Sequence, residues 1–65
     1  MKRFDPGKVI ERRKRQKMTQ FDVAKEAGLS LASVSYIEHG KKMPKANTLM
    51  KLAVALKCKV DYFFV

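Results

Sequence analysis

The chain has 65 residues, the length of one small domain that can only just bury a core of its own. Fifteen Lys and Arg residues face six Asp and Glu residues, so the formal net charge is +9. Such an excess repels itself and favours an anionic partner: nucleic acid, an anionic membrane surface or an acidic protein. The hydrophobic content of 46% excludes a disordered tail, and we expect one globular domain over residues 1–65.

Further kinds of site and location are excluded by the cysteine count and by the apolar runs. Cys58 is the only cysteine, so an internal disulfide is impossible and a cysteine-based zinc site is unsupported. The longest apolar run, residues 52–56, is far shorter than a membrane span. The charged N-terminus is not followed by an apolar stretch, so it is not a secretory signal. We expect a soluble, cytoplasmic protein with no metal, no cofactor and no membrane partner.

The first two predicted helices are marked by their caps. Asp5 is a suitable N-cap and Pro6 is favoured at the first helical position, which predicts a helix to about position 17. Thr19 begins the second helix, with Asp22 three residues later in a pattern like a capping box. Gly28 ends it, because glycine readily adopts the left-handed conformation at a helix end.

The third helix is capped by Ser30, runs to His39 and stops at Gly40. A basic loop, residues 41–45, follows it. A fourth helix starts near position 46, and its apolar residues recur at helical spacing: Leu49, Leu52, Ala53 and Leu56. A short final turn covers residues 60–64, so the prediction is an all-α fold of five helical segments.

Residues 19–40 predict a helix-turn-helix. Gly28 and Leu29 turn the chain between two helices, and helices joined by so short a turn must cross steeply. Their facing positions must therefore be small or apolar. The sequence provides such residues at the facing positions: Val23, Ala24, Ala27, Val34 and Ile37.

At these positions the sequence resembles the lambda-repressor-like family of helix-turn-helix domains, the Cro-repressor or xenobiotic-response-element type. The matching residues are Val9, Arg13, Thr19, Gln20, Val23, Ala24, Gly28, Ser30, Val34, Ser35, Ile37, Glu38, Gly40, Lys41, Pro44, Leu49, Leu52, Ala53, Leu56 and Phe63. They cover almost the whole chain, residues 8–64. The resemblance implies a five-helix fold and sequence-specific binding of double-stranded DNA, usually by a twofold dimer on a palindromic operator.

The outer face of the third helix is the candidate DNA-reading surface. Ala32, Ser35, Tyr36 and His39 recur on the face opposite Val34, and this stripe of small and polar residues suits a major groove. The resemblance implies base contacts from the first turns of this helix: Leu31, Ala32, Ser35 and Tyr36. The stripe has no Arg, Asn or Gln, so methyl contacts and DNA shape should carry much of the specificity.

Phosphate contacts are predicted beside this stripe. Ser30, Gln20 and Ser33 stand at or near helix N-termini, which favour anions, and the resemblance makes Gln20 a clamp on the DNA backbone. Lys41 and Lys42 follow the third helix directly and should meet phosphates. A solvated loop is the alternative for these two lysines.

Arg13 and Glu38 are predicted to form a structural ion pair. Arg13 falls on the apolar face of the first helix and Glu38 on the inner face of the third, and an unpaired buried charge is costly. The family resemblance implies the same bridge. The other basic residues of this segment, Arg12, Lys14, Arg15 and Lys17, are expected to form mostly a solvated face, with some of them near the DNA backbone.

Three features depart from the family pattern or extend it. Lys57 stands where the fourth helix usually ends in glycine, and Lys45 replaces a good helix cap. The chain ends in an aromatic segment of which one ring should close the core. We expect the remaining residues, Tyr62, Phe64 and Val65, to form a dimer contact because they would otherwise leave an apolar patch exposed.

The leading hypothesis is a DNA-binding transcriptional regulator, most simply a repressor that binds a near-palindromic operator as a dimer. An antitoxin or a restriction-modification controller would share this domain. An adaptor that bridges proteins and binds DNA weakly is an alternative of another class, although the basic flanks of the third helix argue against it. No nucleophile–base pair, phosphate-cradling glycine loop or acid pair can be assembled, so we expect no enzyme.

Overall fold

A computed structural model describes residues 2–65 and contains four α-helices. They are α1 (Pro6–Arg15), α2 (Gln20–Ala27), α3 (Leu31–Glu38) and α4 (Ala46–Ala55), followed by a 3₁₀ helix, Val60–Phe63. The all-α prediction is confirmed, but the count of five helices is corrected to four α-helices. The last segment is held by short-range bonds such as that from Tyr62 N to Lys59 O, 3.0 Å, and four residues are too few for an α-helix.

The helix starts are formed by the side chains that the sequence pattern indicated. Asp5 accepts a bond from the Gly7 amide at 2.9 Å, which caps α1. Thr19 and Asp22 form a complete capping box, with bonds of 2.9 and 3.0 Å between each side chain and the other's amide. The bond from the Thr19 amide holds the pKa of the Asp22 carboxyl below its usual value. Lys45 provides no side-chain cap to α4.

The core lies where α2 crosses α3 and α4, and α1 closes it from the side of α3. Six of its side chains are fully buried: Val9, Val23, Val34, Leu52, Leu56 and Phe63. Every helix and the 3₁₀ segment contribute at least one of them. Because the core is shared in this way, α3 is held on its inner side while its outer side stays in solvent. None of the helices in the described part of the chain is long and apolar enough to cross a membrane.

The two ends of the described chain are joined. Arg3 and Val65 exchange backbone hydrogen bonds of 2.9 and 3.0 Å, and an isolated antiparallel bridge links Phe4 to Phe64. The Phe4 ring packs edge to face on Phe63 and Phe64, with centroids 6.5 and 6.0 Å apart. The N-terminal segment therefore covers part of the aromatic surface that the sequence pattern left exposed.

Arg12 has a structural role that differs from the solvated position expected for it. Its Nε donates to Leu56 O at 2.9 Å and its Nη2 to Lys57 O at 2.8 Å, which satisfies carbonyls at the end of α4. The guanidinium carbon also lies 5.5 Å from the centroid of the Tyr62 ring. Lys57 adopts the left-handed conformation with φ of 57°, as its position in the family pattern implied.

Tyr62 joins the 3₁₀ helix to α1. Its hydroxyl donates to Glu11 Oε1, and this bond lowers the pKa of the Glu11 carboxyl and raises the pKa of Tyr62. Tyr62 and Phe64 are half-buried by these contacts within the chain, whereas Val65 is 54% exposed. Of the three residues expected at a dimer contact, Val65 has the most free surface.

Candidate nucleic-acid interface

The turn between α2 and α3 is set by Gly28. Its φ of 69° lies in the left-handed region, which a residue with a side chain adopts at a cost. The following amide, Leu29 N, donates back to Ala24 O at 2.9 Å, so the end of α2 is closed before α3 begins. The two helices thereby form the predicted helix-turn-helix.

The outer face of α3 is accessible along its length. Leu31 is 49% exposed and Tyr36 52% exposed, and Ala32 is exposed between them. Ser35 is half-buried one turn further on. At the end of the stripe, His39 Nδ1 lies 2.7 Å from Ser35 O, so Nδ1 carries the donated proton. The residues predicted to read bases therefore share one solvent-facing surface, and this surface contains no carboxylate.

The two serines at the start of α3 are bonded to each other. Ser30 Oγ accepts from the Ser33 amide at 3.0 Å, which makes it the N-cap, and its hydroxyl donates to Ser33 Oγ at 2.9 Å. The Ser33 hydroxyl keeps its own proton for an outside acceptor. Ser30 is thus fixed by its role in the cap, and Ser33 is the better donor to a phosphate.

A basic recess lies beside α3, between it and the start of α4. Its volume is about 250 Å³, and it is lined by Leu29, Ser33, Ile37, Lys42, Pro44, Lys45, Asn47 and Thr48. Two lysines, two hydroxyls and an amide therefore surround a space next to the N-terminus of α4, where the helix dipole is positive. Lys45, Asn47 and Thr48 were not predicted as site residues. The basic loop and the uncapped start of α4 were the available signals.

Lys41 and Lys42 are exposed immediately after α3. Gly40 turns the chain with φ of 72°, and Lys41 N donates to Tyr36 O at 3.0 Å. This bond fixes the backbone that carries both lysines, while their side chains remain free to reach an anion.

Behind the outer face, a buried polar brace joins α1, α2 and α3. Arg13 Nε and Nη2 donate to the two oxygens of Glu38 at 2.7 and 3.0 Å, and Arg13 Nη1 donates to Met18 O at 3.1 Å. The side chain of Glu38 is only 2% exposed and that of Arg13 only 14%. The predicted pair is therefore present as a bidentate, buried contact.

Gln20 also belongs to this brace. Its Nε2 donates to Glu38 Oε1 at 2.9 Å, so the first residue of α2 is tied to the last residue of α3. The sequence pattern placed Gln20 at the DNA backbone and did not predict this bond. An amide nitrogen carries two protons, so one remains for another acceptor.

The model of the helix-turn-helix family matches residues 9–63, which is most of the chain. The solved structure of the DNA-binding domain of the P22 c2 repressor is similar at 30% identity, with a TM-score of 0.88 over 94% of this chain and 80% of that one. The P22 c2 repressor in complex with a synthetic operator is similar at 30% identity, with a TM-score of 0.85 over 94% and 92%.

A restriction-modification controller protein, C.AhdI from Aeromonas hydrophila, is similar at 25% identity. Its TM-score is 0.88 over 91% of this chain and 89% of that one. A search among curated proteins found no match. The chain belongs to the helix-turn-helix family, and the resemblance to the lambda-repressor-like type is confirmed. Fold and family together define a DNA-binding transcriptional regulator.

Proposed function

We propose that this protein is a repressor that binds a near-palindromic operator as a dimer, with residues 1–65 acting as one DNA-binding domain. The observation that carries the proposal is the outer face of α3, which is exposed, free of carboxylates and flanked by lysines. In a dimer, two such helices would enter successive major grooves roughly 34 Å apart. Occupying a promoter in this way would block polymerase.

The contacts divide into two groups. Leu31, Ala32, Ser35 and Tyr36 would meet base edges, with apolar groups on thymine methyls and hydroxyls on polar edges. Gln20, Ser30, Ser33, Lys41 and Lys42 would hold the phosphate backbone, and the recess adds Lys45 and Asn47 to this group. Ser30 would contribute chiefly by orienting Ser33, since its own hydroxyl is engaged in the cap.

The test is binding to duplex DNA selected from a random pool, measured across a range of salt concentrations. For about six phosphate contacts, the slope of log affinity against log salt should be about −5. Lys41→Ala and Lys42→Ala should each weaken binding to every sequence and flatten the slope by about 1. Lys14→Ala, which removes an exposed lysine of α1, is the matched control and should leave the slope nearly unchanged.

Tyr36→Ala tests the base-reading role separately. It should change the order of preference among selected sequences while keeping the salt slope, because it removes a groove contact and no charge. An equal loss of affinity for the selected duplex and for random DNA would contradict the assignment. A flat salt response of the unmodified protein would contradict DNA binding as a whole.

A narrower version of the function is favoured by the similarity to C.AhdI, a restriction-modification controller. A controller or an antitoxin would use the same DNA-binding surface and differ in the gene it regulates. A methylase, endonuclease or toxin gene beside this one would support that version. A protein-bridging adaptor is less well supported, since the lysines beside α3 serve DNA better than protein. We expect no catalytic activity and a cytoplasmic location, where the DNA is.

A further inference from the structure

A groove runs between α2 and α4, away from the recess beside α3. One part is a shallow, open depression of about 240 Å³ that is lined by Glu26, Ala27, Met50, Lys51 and Val54. A second part encloses about 320 Å³ and extends it toward the end of α1, past Val54 to Gln16 and Lys57. The two parts adjoin at Glu26 and Val54, and together they are here called the α2–α4 groove.

Two large apolar side chains of α4 are exposed to solvent in this groove. Met50 is 63% exposed and Val54 78% exposed, the largest exposed fraction among the large hydrophobic side chains of the described chain. They are four residues apart on α4, so they stand side by side on one face of the helix. Neither α1 nor the N-terminal segment covers them, in contrast to the aromatic C-terminus. Their exposure is unfavourable in an isolated chain and would be relieved by a partner that covers them.

The charges of the groove are arranged on opposite walls. Glu26 stands on the α2 wall and Lys51 on the α4 wall. The ion pairs within residues 2–65 join Lys8 to Glu11 and Arg13 to Glu38, so Glu26 and Lys51 form no ion pair with each other or with another described residue. An acidic wall and a basic wall are therefore available to a partner at the same place.

We propose that the α2–α4 groove is the contact between two copies of this chain. In a twofold contact whose axis runs along the groove, each wall of one copy faces the opposite wall of the other copy. Glu26 of one copy then faces Lys51 of the other, twice, around a centre formed by Met50 and Val54. The chain carries a net charge of +9, and this groove is a place where two copies meet with opposite charges and apolar surface together.

This inference rests on the proposed function, since it names the surface through which the operator-binding dimer forms. It also places the dimer contact on a different surface from the C-terminal residues Tyr62, Phe64 and Val65, which the sequence pattern indicated. Tyr62 is engaged with Glu11, and Phe64 is packed on Phe4 within the chain. Val65 alone offers less apolar surface than the pair on α4.

Analytical ultracentrifugation tests the apolar centre, on the protein alone and on a duplex with two half-sites. Met50→Gln and Val54→Gln should each raise the dissociation constant of the dimer at least tenfold. Phe21→Gln is the matched control, because Phe21 is as exposed as Met50, at 63%, and does not line the groove. Thermal unfolding of each variant separates loss of the contact from loss of the fold. Equal dimerisation of the groove variants and the control would overturn the proposal.

A charge exchange tests the orientation of the two copies. Glu26→Lys and Lys51→Glu should each weaken the dimer, and the two together should restore it, since the walls are again opposite and the net charge returns to +9. Lys25→Glu, the same change of charge on the exposed side of α2 outside the groove, should not weaken it. A double variant as weak as the single variants would refute the pairing.

Affinity for a duplex with a single half-site distinguishes the proposed DNA binding from the proposed dimer contact. It depends on the outer face of α3 and should be equal in the variants that keep the net charge of +9: Met50→Gln, Val54→Gln and the charge-exchanged double variant. Normal half-site binding by a protein that stays monomeric on a two-half-site duplex would refute the groove contact and leave DNA binding standing. Failure of the unmodified protein to bind any duplex would refute the proposed function, whatever its state of association.

Discussion

Arg13→Met should greatly lower the free energy of unfolding, because it removes one partner of a buried ion pair. Arg13 holds both oxygens of Glu38 and the carbonyl of Met18, and the Glu38 side chain is 2% exposed. Without Arg13, the carboxylate keeps the bond from Gln20 but stays buried without a counter-charge. Removing one partner of a buried pair costs about 3–5 kcal/mol.

That loss is comparable to the whole stability of the domain. At roughly 0.05–0.15 kcal/mol per residue, a chain of 65 residues is stable by about 3–10 kcal/mol. Arg13→Met should therefore leave the protein marginally folded or unfolded at 25 °C. Urea unfolding followed by far-ultraviolet circular dichroism measures the change directly. The loss should depend little on salt, because the pair is shielded from solvent.

The double variant Arg13→Met with Glu38→Leu tests why stability is lost. It distinguishes the cost of a buried unpaired charge from a site that accepts no substitution. Replacing both partners by apolar side chains removes the charge that has no partner, and such exchanges are often neutral or stabilising. The double variant should recover most of the stability lost by Arg13→Met. If it is as unstable as the single variant, or if Arg13→Met alone costs less than about 1 kcal/mol, the reasoning is refuted.

Two further predictions concern the C-terminal third of the chain. Lys57→Gly should stabilise the protein by about 1 kcal/mol, since Lys57 has φ of 57° and glycine adopts this conformation without the cost. The melting temperature should rise by roughly 4–8 °C, whereas the control Lys59→Gly, at an extended position with φ of −85°, should not raise it. The pKa of Tyr62 is raised in the folded chain because its hydroxyl donates to Glu11. The stability that this bond contributes is therefore complete below pH 10 and is lost as the pH rises through the pKa of the folded state. Tyr62→Phe should flatten the alkaline fall in stability and remove the late component of the tyrosinate absorbance, and an unchanged alkaline fall would contradict the assignment.

Most of the helix boundaries were predictable because their causes are local. The Thr19–Asp22 capping box, the Ser30 cap and the left-handed Gly28 each involve residues within a few positions of one another. The first helix ends at Arg15 and not near position 17, because Lys17 adopts a left-handed conformation. The usual sequence signal for this conformation, a glycine, is absent there. Over the short final segment, the sequence pattern does not distinguish an α-helix from a 3₁₀ helix, and its four residues form 3₁₀ bonds.

The contacts that escaped prediction join residues far apart in the chain. Arg12 meets carbonyls 44 and 45 positions away, and nothing in a run of basic residues distinguishes it from its solvated neighbours. Phe4 covers Phe64 from the other end of the chain. The recess beside α3 depends on where the start of α4 lies, so Asn47 gave no signal of its own. The faces of α3, in contrast, follow from helical periodicity alone.

The buried brace and the outer face proposed to read bases both belong to α3, so each depends on how this helix is held. α3 is eight residues long, and it must present Tyr36 outward while Ile37 and Glu38, its next residues, are held inward. An eight-residue helix has little stability of its own, so its orientation is determined by tertiary contacts. The apolar contacts of Val34 and Ile37 fix which face is buried, and Glu38 ties the C-terminal end to α1 and α2 at once. The proposed base contacts use methyl groups and hydroxyls, which discriminate among bases only at close range, so these contacts require the fixed placement of α3.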